Sequence, residues 1–243
     1  MKTVFFASAA AAALIAAPAF AQDTAGSVGV SYQYSDTDIG AVKGIEQDTF
    51  AIDGVVATPI FGDWTVTGAA ATTYSDGDAF AKGETTLSGS AALTKVIGTY
   101  RVGGFYAAEE FQGSTLNTFG AVAQKYFDKA TVTGTASYGS VYDADIWSVK
   151  ADVAYYATDA LRLNAGVGYS NNEDAIGYDA DIVELNVGAE YQFAASPYSV
   201  FAGYTYADSD DLAVEANAIK VGVRYNFGGN LQARDRAGAG LGL

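Results

Sequence analysis

The sequence predicts an all-β protein, a transmembrane antiparallel up-and-down β-barrel of about twelve strands. Three observations predict it. Segments in which apolar and polar residues alternate recur along the chain, and polar or Gly-containing connections separate them. After the apolar run near the N-terminus, no segment is continuously apolar over the length of a spanning helix. Successive strand side chains point to opposite faces, so an alternating segment of about nine to eleven residues can face lipid and water at once. Within hydrocarbon only helices and closed barrels satisfy every backbone N–H and C=O group.

Residues 1–21 are predicted to be a signal peptide. Lys2 supplies a positive charge, an Ala-rich apolar run follows it, and Ala19 and Ala21 carry the small side chains expected before a cleavage point. The apolar run is shorter than the roughly twenty residues that a membrane anchor needs. We therefore expect Gln22 to be the first residue of the exported chain.

The barrel is predicted to span residues 22–227, with longer acidic loops alternating with short turns. The longer loops are predicted at 35–47, 75–83, 108–114, 140–145, 171–181 and 207–214. The short turns are predicted at 58–63, 95–98, 127–129, 157–160 and 194–197. These connections divide the chain into twelve strands, and an even strand number with short periplasmic turns and longer outer loops is typical of bacterial barrels.

One face of the strands is predicted to contact lipid, because it combines aliphatic residues with aromatic residues near strand ends, as in membrane girdles. Its members include Val30, Phe50, Ile52, Trp64, Tyr74, Trp147, Val149, Tyr155, Leu163, Tyr169, Leu185 and Val187. Either face can be argued for 117–127, where Phe119 and Lys125 share a parity. A soluble barrel or sandwich shows the same alternation with its apolar face inward, but rarely with girdle aromatics and a last strand ending in Phe.

The opposite face is polar and mostly small, and it defines a lumen. Barrel diameter grows with strand number, so twelve strands lined by Gly, Ser and Thr leave room for water. The predicted pore-lining residues are Asp53, Arg101, Lys150, Asp152, Arg162, Glu184, Glu190, Lys220 and Arg224. Two interpretations of these nearly balanced charges stay open: cross-strand pairs that stiffen or plug the interior, or a constriction that sorts solutes by charge.

The chain carries 28 Asp and Glu against 13 Lys and Arg, a formal net charge of −15 that becomes −16 once Lys2 leaves with the signal peptide. This balance argues against nucleic acid as a partner. The excess is predicted to form an acidic vestibule, whose residues are Asp36, Asp38, Asp76, Asp78, Asp143, Asp145, Asp208, Asp210 and Asp211. Carboxylates at this density suit hard divalent ions, but their spacing misses that of an EF-hand. Solvated loops screened by divalent ions are therefore favoured over a dedicated calcium site, and no metal site or cofactor is predicted.

The chain contains no Cys and no His. Disulfides, thiolate chemistry, Ser-His catalysis and imidazole metal sites are therefore excluded. No catalytic residue is predicted, and we expect a protein that is not an enzyme. An enzyme that uses only carboxylates would need two of them converging beside a substrate cleft at the lumen mouth.

The last alternating segment runs from Ile219 to Phe227, with apolar or aromatic residues at odd positions. It resembles the closing strand of Gram-negative outer-membrane barrels, which typically ends in Phe and is read by the barrel assembly machinery. Tyr225 and Phe227 are thus the predicted assembly signal. Residues 228–243 are rich in Gly and Ala without alternation, which predicts a flexible periplasmic tail.

Over its whole mature length the chain resembles the small porins and related outer-membrane barrels. The resemblance implies an outer-membrane location, with lipid, lipopolysaccharide, the assembly machinery and small hydrophilic solutes or cations as partners. It implies a passive diffusion channel, for which the acidic loops predict a cation preference. The alternative is a non-conducting structural or surface-interaction barrel with a plugged lumen and acidic extracellular loops.

Overall fold

A computed structural model describes residues 24–77, 83–111, 113–142, 144–173 and 179–241. Its strands are β1 (Ala25–Ile39), β2 (Val42–Phe61), β3 (Trp64–Gly77), β4 (Glu84–Ile97), β5 (Tyr100–Phe111), β6 (Ser114–Phe127), β7 (Ala130–Val141), β8 (Ala144–Thr158), β9 (Leu161–Glu173), β10 (Asp179–Gln192), β11 (Tyr198–Ser209) and β12 (Val214–Phe227). Each strand pairs antiparallel with its sequence neighbours, and β12 pairs with β1 to close the barrel. The predicted fold and strand number are confirmed.

The short turns lie at 62–63, 98–99, 128–129, 159–160 and 193–197, close to their predicted positions. We name this end of the barrel the turn end, and the opposite end the loop end. In the part of the chain that the structure describes, no helix is long and apolar enough to cross a membrane. The predicted signal peptide lies outside the described residues, so its cleavage stays a prediction.

The strands extend further towards the loop end than the sequence predicted. The connection between β1 and β2 is 40–41 instead of 35–47, and that between β11 and β12 is 210–213 instead of 207–214. Several polar residues for which a loop was predicted belong to strands. Asp208, for example, pairs with Glu215 across β11 and β12. Pairing satisfies backbone hydrogen bonds whatever the side chains are, so the hairpins continue beyond the apolar band.

The two faces of the barrel differ in exposure as predicted. Phe50, Trp147 and Val187 are 56%, 60% and 53% exposed on the outer surface. Thr67 and Glu190, on the other face, are each 2% exposed. Aromatic residues pair near both ends of the barrel, as in two girdles. The pairs are Tyr32–Phe50, Tyr106–Phe119 and Tyr138–Trp147 towards the loop end, and Phe61–Trp64, Tyr191–Phe193 and Tyr198–Tyr225 towards the turn end.

The segment 117–127, for which either face could be argued, has a single orientation in the structure. Phe119 is 61% exposed on the outer face, whereas Gln124 is 1% exposed inside the barrel. Lys125 shares the outer face near the turn end, where its Nζ donates to the Tyr100 hydroxyl at 2.8 Å. A long side chain can place its charge at the membrane boundary in this way while its stem remains in apolar surroundings.

The chain after β12 differs from the prediction of a flexible tail. Gly228 and Gly229 have φ values of +83° and +118°, and they turn the chain back at the turn end. A Cβ on Gly228 would lie 2.5 Å from the Ala25 Cα atom, so no larger residue fits this turn. The chain therefore re-enters the barrel and does not leave it.

Inside the barrel the chain forms a short helix, α1 (Leu231–Arg234), followed by a π-helical turn (Asp235–Ala239). The Asn230 side chain caps α1 by accepting from the Ala233 N–H at 2.8 Å. We name residues 230–241 the lumen segment. A tail rich in Gly and Ala was expected to stay in solvent, and contacts with the barrel wall, described below, hold it inside.

The orientation of the barrel can be tested with single Cys substitutions, because the native chain has none. Cys in place of Asp76 or Asp210, both at the loop end, is expected to react with an impermeant maleimide on intact cells. Cys in place of Asp128 or Asp159, in turns at the opposite end, is expected to react only after the outer membrane is permeabilised. The reverse pattern would show that the turn end faces outward.

Candidate functional site

A cavity of about 600 Å³ lies inside the barrel, and it is the candidate functional site. Its wall combines small apolar residues, many of them Ala, with polar and charged side chains, and Ser88, Ser90, Asn164 and Asn186 are among the uncharged polar ones. Seven predicted pore-lining residues border it: Asp53, Lys150, Asp152, Arg162, Glu184, Glu190 and Arg224. The lumen segment forms its boundary at the turn end. The predicted lining is thus brought together around one space, and its role in permeation stays a prediction.

Glu190 is the centre of the charge arrangement. Its carboxylate lies 3.6 Å from Arg162, 3.5 Å from Arg224 and 3.5 Å from Arg234. The Ser199 hydroxyl donates to the same carboxylate at 2.7 Å. These residues come from β9, β10, β11, β12 and the lumen segment, so one buried carboxylate joins four adjacent strands to the chain's end.

Two further ion pairs border the cavity and differ in environment. Arg224 Nη2 lies 3.7 Å from Asp53, and its guanidinium stacks 4.2 Å above the centre of the Phe201 ring. Lys150 and Glu184 are 3.9 Å apart, with side chains 56% and 36% exposed. The second pair is hydrated and contributes little to stability.

Arg101 and Lys220 are the predicted pore-lining residues that do not border the cavity. Arg101 faces inward but is 2% exposed, because the lumen segment covers it. Its guanidinium donates to the Thr94 hydroxyl, the Tyr126 hydroxyl and the Arg236 carbonyl at 2.7–2.8 Å. Lys220 lies on the lumen side of β12 and is half-buried. Arg101 therefore holds the lumen segment instead of lining an open pore.

Three consecutive charged residues anchor the lumen segment. Arg234 pairs with Glu190 on β10. Asp235 accepts from the Tyr156 hydroxyl at 2.6 Å on β8 and from Gln124 Nε2 at 3.4 Å on β6. Arg236 donates to the carbonyls of Phe127 and Asp128 in the β6–β7 turn. Each of the three thus binds a different part of the wall.

Apolar contacts hold the two ends of the lumen segment. Leu231 is 2% exposed and packs in a cluster with Ala154 and Tyr156. Leu241 is 3% exposed and packs in a cluster with Ala92 and Val122. All four partners are lumen-facing side chains, so the polar lumen has an apolar lining where the segment lies.

The acidic residues at the loop end are arranged differently from the predicted vestibule. Asp36, Asp76, Asp145 and Asp208 share strand parity with outward-facing aromatic residues, so they point away from the barrel axis. The Tyr138 hydroxyl, for example, donates to Asp145. Asp210 and Asp211 lie in the β11–β12 connection, and Asp78 and Asp143 lie outside the described residues. The four outward-pointing strand carboxylates form an outer rim, because strand pairing persists where loops were expected.

Asp38 belongs to this rim, at the tip of the β1–β2 hairpin. The backbone N–H of Gly44 donates to its carboxylate at 2.9 Å, and Lys43 Nζ lies 2.9 Å from the other oxygen. Both contacts favour the ionised form, the first more strongly, and they hold the pKa of Asp38 below its ordinary value. Its negative charge is therefore retained at any pH near neutrality.

The predicted assembly signal lies at the end of β12. Tyr225 is 45% exposed on the outer face and its ring lies 5.6 Å from that of Tyr198. Phe227 is the last residue of the strand and pairs with Gly26 of β1. Recognition of these residues by the assembly machinery stays a prediction.

Among the described residues, no group of three or more carboxylates is arranged to hold a metal ion.

Several site residues were not predicted from the sequence. Gln124, Tyr126 and Tyr156 contact the lumen segment, and Glu109 borders the cavity although its position predicted a loop. Two signals pointed to them. Arg234-Asp235-Arg236 is a dense charge run within a Gly/Ala-rich end, and Tyr155-Tyr156 places a bulky aromatic residue on the face that was otherwise small and polar.

A closed twelve-stranded barrel with an apolar outer band and a polar interior is the fold of the small outer-membrane β-barrel proteins, and comparisons with solved structures agree. An outer-membrane channel from Pseudomonas putida F1 is similar over 85% of this chain and 97% of its own, with 13% identity and a TM-score of 0.68. The KdgM porin is similar over 82% and 99%, with 9% identity and a TM-score of 0.53. The translocator domain of the autotransporter NalP from Neisseria meningitidis is similar over 93% and 97%, with 14% identity and a TM-score of 0.55.

At these identities the similarity shows a shared fold. No protein-family model and no curated protein matches the chain by sequence. A channel, a porin and a translocator domain all share this fold, so the function has to be argued from the residues inside the barrel.

Proposed function

We propose that the protein is an outer-membrane, porin-like channel through which small hydrophilic solutes diffuse passively, with a preference for cations. The observation that carries this proposal is the cavity of about 600 Å³ lined by polar and charged side chains inside a closed barrel. An apolar outer band and an interior with room for water suit passage across a membrane. Outer-membrane lipid, lipopolysaccharide and the barrel assembly machinery are its proposed partners, and no chemical reaction is part of the proposal.

The cation preference is argued from the charges that border the cavity. Carboxylates are more numerous than cations there, and the outer rim adds further negative charge. The carboxylates are Asp53, Glu109, Asp152, Glu184, Glu190 and Asp235, and the cations are Lys150, Arg162, Arg224 and Arg234. Such an excess raises the local concentration of cations and lowers that of anions.

A second candidate function is a structural barrel that does not conduct. The observation that favours it is the lumen segment, which contacts β1, β2, β3 and β9 and hydrogen-bonds to β3, β5, β6, β8 and β10. A chain that bridges so much of the wall narrows the interior at the turn end. The two candidates differ in one measurable property, which is ionic conductance.

Recordings from the purified full chain in planar bilayers under a potassium chloride gradient test the proposal. Discrete conductance steps are expected, with a reversal potential that favours potassium. The preference is expected to weaken with salt, because the Debye length falls from about 10 Å at 0.1 M to about 3 Å at 1 M. If neither the full chain nor a variant without the lumen segment conducts above the lipid background, the structural barrel replaces the channel.

Matched substitutions separate the cavity charges from the rim charges. Glu109→Gln with Glu184→Gln removes two carboxylates from the cavity border and is expected to shift the reversal potential towards chloride. Asp48→Asn with Asp76→Asn removes two carboxylates that face each other across β2 and β3 on the outer side. This control is expected to have a much smaller effect, and an equal shift in both would show that the cavity border has no special role in selectivity.

A further inference from the structure

The lumen segment is held as specifically as a bound ligand. Leu231, Arg234, Asp235 and Leu241 are each less than 8% exposed. A Gly/Ala-rich chain end loses conformational entropy when it is ordered, so it stays in a wide polar lumen only if specific contacts compensate for that loss. The contacts here are an ion pair, hydrogen bonds and two apolar clusters.

The wall around the lumen segment supplies a charged or hydrogen-bonding partner to each of three consecutive residues, Arg234, Asp235 and Arg236. Arg234 lies against the carboxylate of Glu190, and Asp235 lies between two donors, the Tyr156 hydroxyl and Gln124 Nε2. The Arg101 guanidinium donates to the Arg236 carbonyl at 2.8 Å. Hydrogen bonds to ionised groups are the stronger class, so this match orients the segment in one way.

The apolar part of the wall gives a second, independent indication. Val122 and Ala92 face the lumen and are 2% and 3% exposed beside Leu241. In a lumen filled only with water the same side chains would be hydrated, at a cost proportional to their apolar area. The wall at the turn end therefore presents larger apolar side chains that a peptide covers, while the rest of the cavity is lined by small residues and by charged side chains.

The connection between the barrel and the lumen segment lies outside the strand pairing that closes the barrel. Gly228 and Gly229 separate it from Phe227, the last residue of β12. Glycine adopts backbone conformations on both sides of φ = 0°, so this pair is a natural hinge. The ladder between β12 and β1 does not include the lumen segment, since its last pair is Gly26 with Phe227.

We propose that the lumen segment is a resident plug, which closes the turn end of the channel while it occupies its site and permits conduction when it leaves. The proposal rests on the proposed channel function and adds its regulation. The site is defined by Glu190, Tyr156, Gln124 and Arg101, and its ligand is a short peptide with an Arg-Asp-Arg core between two leucines. The closed state is the resting state, because the intramolecular ligand is always present at high effective concentration.

The first test compares the full chain with a variant that ends at Asn230. The shortened barrel is expected to show larger and more frequent conductance steps. A synthetic peptide with the sequence of residues 229–241 is expected to block it from one side of the bilayer only, and a scrambled peptide of the same composition is not. Equal conductance in the full and shortened chains would overturn the proposal while leaving the channel function intact, whereas silence of both would reject the channel itself.

A second test uses the full-length chain, so that it does not depend on folding of the shortened one. Arg234→Ala with Asp235→Ala removes two anchors and is expected to raise the open fraction about tenfold or more, the size of effect that losing hydrogen bonds between charged groups produces. The matched control is Lys129→Ala with Asp159→Ala, which removes the same two charge types from exposed turns at the same end. The control is expected to behave like the unmodified chain, and an equal rise in both would overturn the proposal.

Labelling of a single Cys measures release of the lumen segment independently of ion conduction. Cys in place of Val122 lies beneath Leu241, and it is the only thiol in the chain. Its reaction with a small water-soluble maleimide is expected to be slow in the full-length chain and about tenfold faster when Arg234 and Asp235 are both Ala. Equal rates in the two would show that these anchors do not hold the segment.

Discussion

Replacing Val187 with Arg is expected to lower the free energy of unfolding of the barrel by about 2–4 kcal/mol, the cost of a cation on the lipid face near the membrane midplane. Val187 is 53% exposed on the outer face of β10, four residues before the girdle residue Tyr191. Denaturant titration in lipid vesicles, followed by the fluorescence of the two Trp residues, measures this change.

The matched control is Asn186→Arg, which introduces the same side chain one position earlier. Asn186 borders the cavity, so its replacement projects into the polar interior, where a guanidinium stays hydrated. Its cost is expected to be well below that of Val187→Arg. Equal costs at the two positions would mean that the outer surface of β10 does not contact lipid.

The fold could be predicted because it depends on a property that each strand carries by itself. Alternation with period two assigns every side chain to one of two faces, and the turn positions fix how many strands there are. Phe50, Trp147 and Val187 are on the predicted side for this reason alone. The same logic left 117–127 ambiguous, because Phe119 and Lys125 share the outer face. An apolar and a charged residue can share this face because they lie at different depths in the membrane, with Lys125 near its boundary.

The lengths of the outer loops could not be predicted in the same way. Polarity indicates that a residue contacts water, but it does not distinguish a loop residue from a strand residue that faces water. In the structure, Asp36 and Glu46 contact water as paired strand residues. The acidic rim therefore points outward, where the sequence predicted a vestibule over the lumen.

The position of the lumen segment could not be predicted because the segment is ordered by contacts with residues that are distant in the sequence. Gly and Ala give no local preference for structure, and the partners of Arg234 and Asp235 come from strands far away in the sequence, at Glu190, Tyr156 and Gln124. Arg101 lies on the lumen face as predicted, but its burial could not be predicted, because the lumen segment that covers it was expected to stay outside the barrel. Composition indicates whether a chain end forms structure by itself. Here the structure of the chain end depends on its contacts with the barrel wall.

Replacing Glu190 with Gln is expected to lower the free energy of unfolding by about 3–5 kcal/mol. The variant leaves Arg162, Arg224 and Arg234 close together without the carboxylate that they share, and an uncompensated buried charge is strongly destabilising. Because Arg234 belongs to the lumen segment, the same variant is expected to increase conductance. Denaturant titration in vesicles and bilayer recordings measure the two effects.

Glu184→Gln is the control for Glu190→Gln, because it makes the same chemical change on the same strand, on the same side of the cavity. Glu184 is partly exposed and has one cationic partner, Lys150, at 3.9 Å, so its replacement is expected to cost less than about 1 kcal/mol. In a double-mutant cycle, Glu190→Gln and Arg234→Ala are expected to be strongly non-additive, since they remove the two halves of one interaction. Additive effects would show that Arg234 and Glu190 act independently, and the lumen segment would then be held by Asp235 and its apolar ends alone.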